Sequence, residues 1–295
     1  DIFWTLSDGS DARSVGDTFD MRKGNTAPPQ PADAPKKGRI DPTPFSMPDT
    51  ATIPTRNWTY DKIFCRKVVT VTAAPGGLGK SSLEIVRGLA MVTGKPLLRE
   101  HVNSALNVWI YNLEDDREEL TRRTAGAMEY YKLTNEDLGG RLFIDSGMEK
   151  PLCTAIELSG RGQLREPVFE ELTLAIKERG IDHLVIDPFV SSHELSENDN
   201  NKIDMVAKRW ARLAYECDIS IGLVHHTRKT NGEAATIEAS RGAKSLIDAA
   251  RVGLVLNPID KTLRDEWKLT PSQVAFSVDN GKSNLAPPTK RKFFL

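Results

Sequence analysis

The stretch Ala74-Pro75-Gly76-Gly77-Leu78-Gly79-Lys80-Ser81 sets three glycines, a lysine and a hydroxyl between the apolar run Val68-Val69-Thr70-Val71-Thr72 and the segment Ser82-Leu83-Glu84-Ile85-Val86. Strand, glycine-rich loop and helix in that order make a cradle for phosphate. The glycines let successive backbone N–H groups face phosphate oxygens, and the helix N-terminus behind them adds the positive end of its dipole. Pro75, Gly76, Gly77, Leu78, Gly79 and Ser82 are then the lining of the loop. Lys80 reaches the β- and γ-phosphates, and Ser81 holds Mg²⁺. One position departs from the G-x-x-x-x-G-K-[ST] pattern: its first glycine is Ala74, the smallest replacement available.

Three further groups stand where apolar runs end. Asp187 closes Leu184-Val185-Ile186 and is placed to bind Mg²⁺ directly or through water; a turn cap before Pro188 is the other use of a carboxylate there. Glu114 follows Leu106-Asn107-Val108-Trp109-Ile110-Tyr111 and is placed to polarise an attacking water, although Glu114-Asp115-Asp116 also reads as the acidic start of a helix. His225-His226 closes Ile219-Ser220-Ile221-Gly222-Leu223-Val224 and could sense a γ-phosphate or serve structure alone. Arg228, Lys229, Arg241, Lys244 and Arg251 make 225–251 the most cationic candidate region, with some of these charges merely solvated.

The elements that must position these groups alternate along the chain. After the phosphate loop comes a helix with Leu83, Ile85, Val86, Leu89 and Met91, stopped at Gly94-Lys95-Pro96. Arg141-Leu142-Phe143-Ile144 reads as a short strand, and Pro167 opens a helix with Val168, Leu172, Ala175 and Ile176 on one face. The clearest amphipathic helix carries Ile203, Val206, Ala207, Trp210, Leu213, Ala214 and Cys217 at i, i+3, i+4, i+7 spacing. A helix is expected over 240–250, then a strand over 252–256, then a half-exposed strand with Val274, Phe276 and Val278 near an edge. Apolar strands separated by helices predict an α/β fold with a mostly parallel sheet covered on both faces. Ligands in such a sheet bind beyond the carboxyl ends of the strands, where all of these groups fall.

Composition sets the frame. The chain has 295 residues, 39% of them hydrophobic and 27% charged, with a net charge of −1, an ordinary balance for a globular protein. Its longest apolar runs fall far short of the ~18 residues of a transmembrane helix, so no membrane partner is expected. Cys65, Cys153 and Cys217 lack metal-ligand spacing and read as small apolar residues of a reducing cytoplasm. The chain opens at Asp1; residues 1–24 carry Phe3, Trp4, Leu6, Val15, Phe19 and Met21 as a piece of something upstream. The proline-rich 25–54 has linker composition. We therefore divide the chain into 1–50, an upstream remnant and linker, and 51–295, the catalytic domain.

Pro75-Gly76-Gly77-Leu78-Gly79-Lys80-Ser81, Tyr111-Asn112-Leu113-Glu114-Asp115, Leu184-Val185-Ile186-Asp187-Pro188, His225-His226-Thr227-Arg228-Lys229, Ala239-Ser240-Arg241-Gly242-Ala243 and Asp248-Ala249-Ala250-Arg251 occur in this order. The set resembles the RecA-like P-loop ATPase core of RepA-type hexameric replicative helicases, especially those encoded on bacterial mobile elements and phages. The resemblance spans roughly 41–285 and implies a RecA-like sheet with an antiparallel edge, ATP and Mg²⁺ as cofactors, single-stranded DNA as partner and a homo-hexamer. It assigns Lys80 and Ser81 to nucleotide and Mg²⁺, Glu114 as the base, Asp187 to the metal and His226 as the sensor. It makes Arg251 an arginine finger reaching a neighbouring subunit's ATP, and puts Lys229, Arg241 and Lys244 on segments facing DNA or the interface. The expected function is a single-stranded-DNA-dependent ATPase motor of the replicative helicase type. The alternatives are an ATP-dependent DNA-binding or loading factor without processive unwinding, and a nucleotide-gated interaction module.

Overall fold

The structure, a computed structural model, describes residues 40–227, 243–287 and 289–295, with only the backbone of Ala243 and Lys244. Arg56–Leu295 is one compact unit and the residues before it another. Of the latter, 40–55 are described: they are exposed throughout, with one 3-10 turn at Thr50–Thr52 that Asp49 caps by accepting from the Ala51 N–H at 3.0 Å. Pro42, Pro44, Pro48 and Pro54 keep so short a stretch from pairing or coiling further.

In the larger unit the order is β1 (Trp58–Tyr60), β2 (Phe64–Cys65), β3 (Val68–Pro75), α1 (Lys80–Thr93), β4 (Val108–Asn112), α2 (Arg117–Tyr130), α3 (Asn135–Leu138) and β5 (Leu142–Ser146). Then come β6 (Ala155–Leu158), β7 (Arg161–Leu164), α4 (Glu166–Arg179), β8 (His183–Asp187), α5 (Asn200–Glu216) and β9 (Ser220–Thr227). The chain ends with α6 (Ala243–Ala249), β10 (Val252–Pro258), α7 (Lys261–Glu266), β11 (Phe276–Ser283) and β12 (Lys292–Phe294).

Eight strands form the central sheet in the order β12-β11-β10-β3-β9-β8-β4-β5. The run from β10 to β5 is parallel, while β11 and β12 add antiparallel at the β10 side. This is the expected α/β sheet with its antiparallel edge. β11 is half-exposed and next to the edge as expected, but the division runs along its length: Phe276, Ser277 and Val278 are buried where β12, too short to register as a periodic strand, pairs beyond them, while 279–283 are partly or fully exposed.

Alternation along β3 builds both layers. Val69, Val71 and Ala73 face a core made with α4, α5 and α6; Ala74 belongs to the opposite core, with α1. The α5 stripe packs as expected, and Trp210, fully buried at its centre, meets Phe169 of α4 edge to face at 5.3 Å. Each aliphatic side chain buried there contributes at most about 1.5–3 kcal/mol. In α1 Leu83, Ile85, Leu89 and Met91 are buried as expected and Val86 only in part, while Glu84 and Arg87 are buried as well. Arg87 Nη1 bonds Glu84 Oε1 at 3.1 Å, Thr72 donates to the same oxygen at 3.0 Å, and Lys292 Nζ bridges Glu100 (2.9 Å) and Asp61 (2.7 Å). Burial works against the Arg87 charge, but Glu84 and Glu100 outweigh it and raise its pKa. The network ties the C-terminal strand to the helix that follows the glycine loop.

Candidate functional site

β3 ends at Pro75 and the chain turns through Gly76–Gly79 into α1. Gly77 (φ 77°) and Gly79 (φ 88°) adopt the left-handed conformation that glycine takes without steric cost. A Cβ on Gly76 or Gly77 would meet nothing within 4 Å, so the loop is open above its backbone. Helices α2, α3, α5 and α7 have side-chain N-caps from Asp116, Thr134, Asp199 and Asp260; α1, capped by Gly79, has none. Its first-turn N–H groups therefore keep their bonding capacity for an anion. Ala74 explains itself: it lies inside β3, fully buried in the core under α1, so its methyl group packs against apolar neighbours and leaves the loop clear.

Lys80 is buried, and its ammonium donates to the carbonyls of Ala74 (3.1 Å) and Pro75 (2.9 Å). Burial lowers its pKa while Asp187 and Glu114 pull it back up, which puts both carboxylates within electrostatic reach. Asp187 ends β8 and is buried, with the Ser81 hydroxyl close enough to favour its charge. Burial pushes its pKa up to about 6, with the Ser81 hydroxyl and Lys80 opposing, so its capacity to hold a cation declines as pH falls through that value. Ser81 and Asp187 offer two oxygen ligands. Among the described residues no cluster of three or more His, Cys, Asp or Glu could hold a metal ion alone. That donor set suits Mg²⁺, which is commonly bound by one or two protein oxygens together with phosphates.

The acidic run after β4 divides its labour. Asp116 caps α2 by accepting from the Glu119 N–H, and Asp115 pairs with Arg123 at 2.8 Å. Glu114 does neither; its Oε2 lies 3.4 Å from His226 Nε2. What holds it there is Asn112, a buried residue whose Oδ1 accepts from the Glu114 (3.0 Å) and Asp115 (2.7 Å) N–H groups while Nδ2 donates to Asp187 Oδ2 at 3.4 Å. Sequence reasoning gave Asn112 no role. The signal was present, since a carboxamide ended an apolar strand two residues before the candidate base.

His225 and His226 lie within β9, opposite Ala73 and Ala74, and so point to opposite faces of the sheet. His226 is on the side of α1. Burial and then Lys80 lower its pKa, and Glu114 opposes them. His225 is buried, with its pKa pushed down to about 4 by burial first and then by His226, Lys80 and His193.

Lys80, Ser81, Asp187, Glu114 and His226 are thus brought together at the carboxyl ends of β3, β8, β4 and β9. Arg251 is not among them. It is exposed and precedes β10, its N–H bonded to Val69 O at the far end of β3. From Val69 to Pro75 the strand rises roughly 20 Å, so Arg251 cannot serve its own chain's loop. Lys229 and Arg241 lie outside the described residues, as does the Lys244 side chain. A groove of about 1290 Å³, lined by Trp109, Phe143, Val168 and Leu172, opens between β5 and α4 and touches none of the five clustered residues.

The fold is similar to that of a solved ATPase domain of another protein, with a TM-score of 0.53 over 77% of this chain and 81% of that one. At 15% identity the likeness speaks to fold alone, and it makes the architecture RecA-like. No described helix is long and apolar enough to cross a membrane. The family of AAA domains (AAA_25) matches residues 34–232, about two thirds of the sequence, and the chain belongs to that family.

Proposed function

We propose that this chain is an ATP-hydrolysing, single-stranded-DNA-dependent motor of the hexameric replicative helicase type, akin to the RepA-like ATPases of mobile elements, acting in the cytoplasm. In this reading residues 51–295 are the ATPase domain and 1–50 the segment of linker composition before it. The observation that carries the proposal is the convergence of Lys80, Ser81, Asp187, Glu114 and His226 on an uncapped helix N-terminus beneath an open glycine loop. Bound ATP with Mg²⁺ would supply the phosphoryl group that is transferred to water. Lys80 would exchange its two carbonyl partners for phosphate oxygens, placing its charge where negative charge develops. Ser81 and Asp187 would hold the metal. Glu114 would accept the proton of the attacking water, and His226 would contact the terminal phosphate in place of Glu114.

Phosphate release with and without single-stranded DNA, over a salt series, tests the DNA dependence. DNA is expected to raise turnover, and its affinity is expected to fall with added salt as phosphate contacts release counterions. Removing the charge of Lys229 or Arg241 should flatten that slope. Stimulation without strand displacement on a forked duplex would favour a loading factor, and the absence of stimulation would remove DNA from the proposal.

A further inference from the structure

Beside the nucleotide site, β8 leads into a loop at 188–199 that carries a 3-10 turn, Phe189–Ser192, and returns into α5 at Asp199. The loop is anchored at its base. Ser192 donates to Phe189 O at 2.7 Å, His193 packs edge-on against Phe189 at 4.9 Å, and His193 Nδ1 accepts from the Leu195 N–H at 3.2 Å. Phe189, Ser192, His193 and Leu195 are all buried. Past this base Glu197 projects back towards β9, its Oε1 at 4.0 Å from His225 Nδ1. That imidazole nitrogen is buried and makes no hydrogen bond. The gap exceeds an N–H···O bond by about 1 Å, and a buried donor or acceptor without a partner is a group the native structure gains by satisfying. His225 is adjacent in sequence to His226 and points to the other side of the same strand.

From this geometry we infer that Glu197 and His225 form a clasp, and that Glu197 is a positioning residue which makes the 193–199 loop respond to what His226 contacts. The inference rests on the nucleotide reading of the site. A shift of the β9 end when His226 exchanges Glu114 for a phosphate moves His225 as well, because the two share one backbone. A shift of about 1 Å brings Nδ1 to hydrogen-bonding distance of Glu197 and fixes the loop. Since the contact is neutral imidazole to carboxylate, it needs an acceptor at 197 and not a charge. Glu197 is exposed, so its substitution leaves the core intact.

The test is amide hydrogen exchange of peptides covering 193–199, with and without Mg²⁺ and a non-hydrolysable ATP analogue, together with the affinity for that analogue. In the wild-type chain, analogue binding should slow exchange in this loop. Glu197→Ala should keep analogue affinity within about 2-fold while losing most of the slowing, on the order of fivefold or more. Glu197→Gln, which retains an acceptor, should restore it. His225→Ala combined with Glu197→Ala should lose no more than Glu197→Ala alone, the non-additivity expected of one shared contact. Binding with unaltered 193–199 exchange in the wild type, or equal slowing in Glu197→Ala, would overturn the clasp and leave the nucleotide site standing. A wild-type chain that binds no analogue would overturn the nucleotide reading and the clasp with it.

Discussion

Arg251→Ala protein is expected to bind Mg²⁺ and ATP and to assemble normally, yet to turn ATP over about 10³–10⁵-fold more slowly. The magnitude is that of a guanidinium supplied where charge develops in the transition state. The direction follows from position: Arg251 lies at the opposite end of β3 from its own glycine loop, with its backbone fixed by bonds from its N–H to Val69 O (3.2 Å) and from the Asn284 N–H to its own carbonyl (3.0 Å). Its side chain is exposed, so it is free to reach the phosphate of a neighbouring chain, which is what the prediction requires. Mixing Arg251→Ala with Lys80→Ala chains should therefore recover activity, because one interface of a mixed ring pairs an intact loop with an intact finger. If mixed oligomers form and show no recovery, Arg251 is a structural residue and the ring reading loses its support.

The second large effect is at Glu114. Glu114→Gln is expected to retain ATP binding and lose about 10²–10⁴-fold in hydrolysis, the usual contribution of a positioned general base. The substitution is isosteric, and Asn112 grips the backbone N–H of residue 114 and not its side chain, so the turn after β4 survives. Asp115→Asn, one residue away, should change turnover far less, since Asp115 is occupied by Arg123. Loss of ATP binding in Glu114→Gln, with the fold intact, would show that Glu114 holds nucleotide and does not activate water.

Much of this site was legible in the sequence because a parallel sheet places chemistry at strand ends, and apolar runs ending in Asp187, Glu114 and His225-His226 mark those ends without any knowledge of their neighbours. Periodicity also identified α5 and the core strands. It failed where elements are too short to show a period: the β1-β2 and β6-β7 hairpins have strands of two to four residues, and β12 has three. It failed as well where a residue's meaning depends on a partner distant in the chain. Arg87, which the sequence alone gives no role, is buried between Glu84 and Glu100. Asn112 reads as a strand end until Asp187 arrives 75 residues later. Ala74 reads as a defect in the loop until β3 absorbs it into the core. The remoteness of Arg251 from its own glycine loop could be seen only once β10 was set parallel to β3.

The central claim is that Lys80 and its neighbours hydrolyse ATP, and the most direct test is phosphate release from Mg²⁺ and ATP by the wild-type chain and by Lys80→Ala, alongside a fold check by circular dichroism. The lysine hydrogen-bonds two backbone carbonyls, and the buried Asp187 that loses its nearby cation keeps the Asn112 amide at 3.4 Å and can take up a proton, so the variant should fold. Hydrolysis by the wild type and a loss of at least about 10²-fold in Lys80→Ala is the predicted result. Near-wild-type turnover in Lys80→Ala, or a wild-type chain that releases no phosphate from ATP, would contradict it.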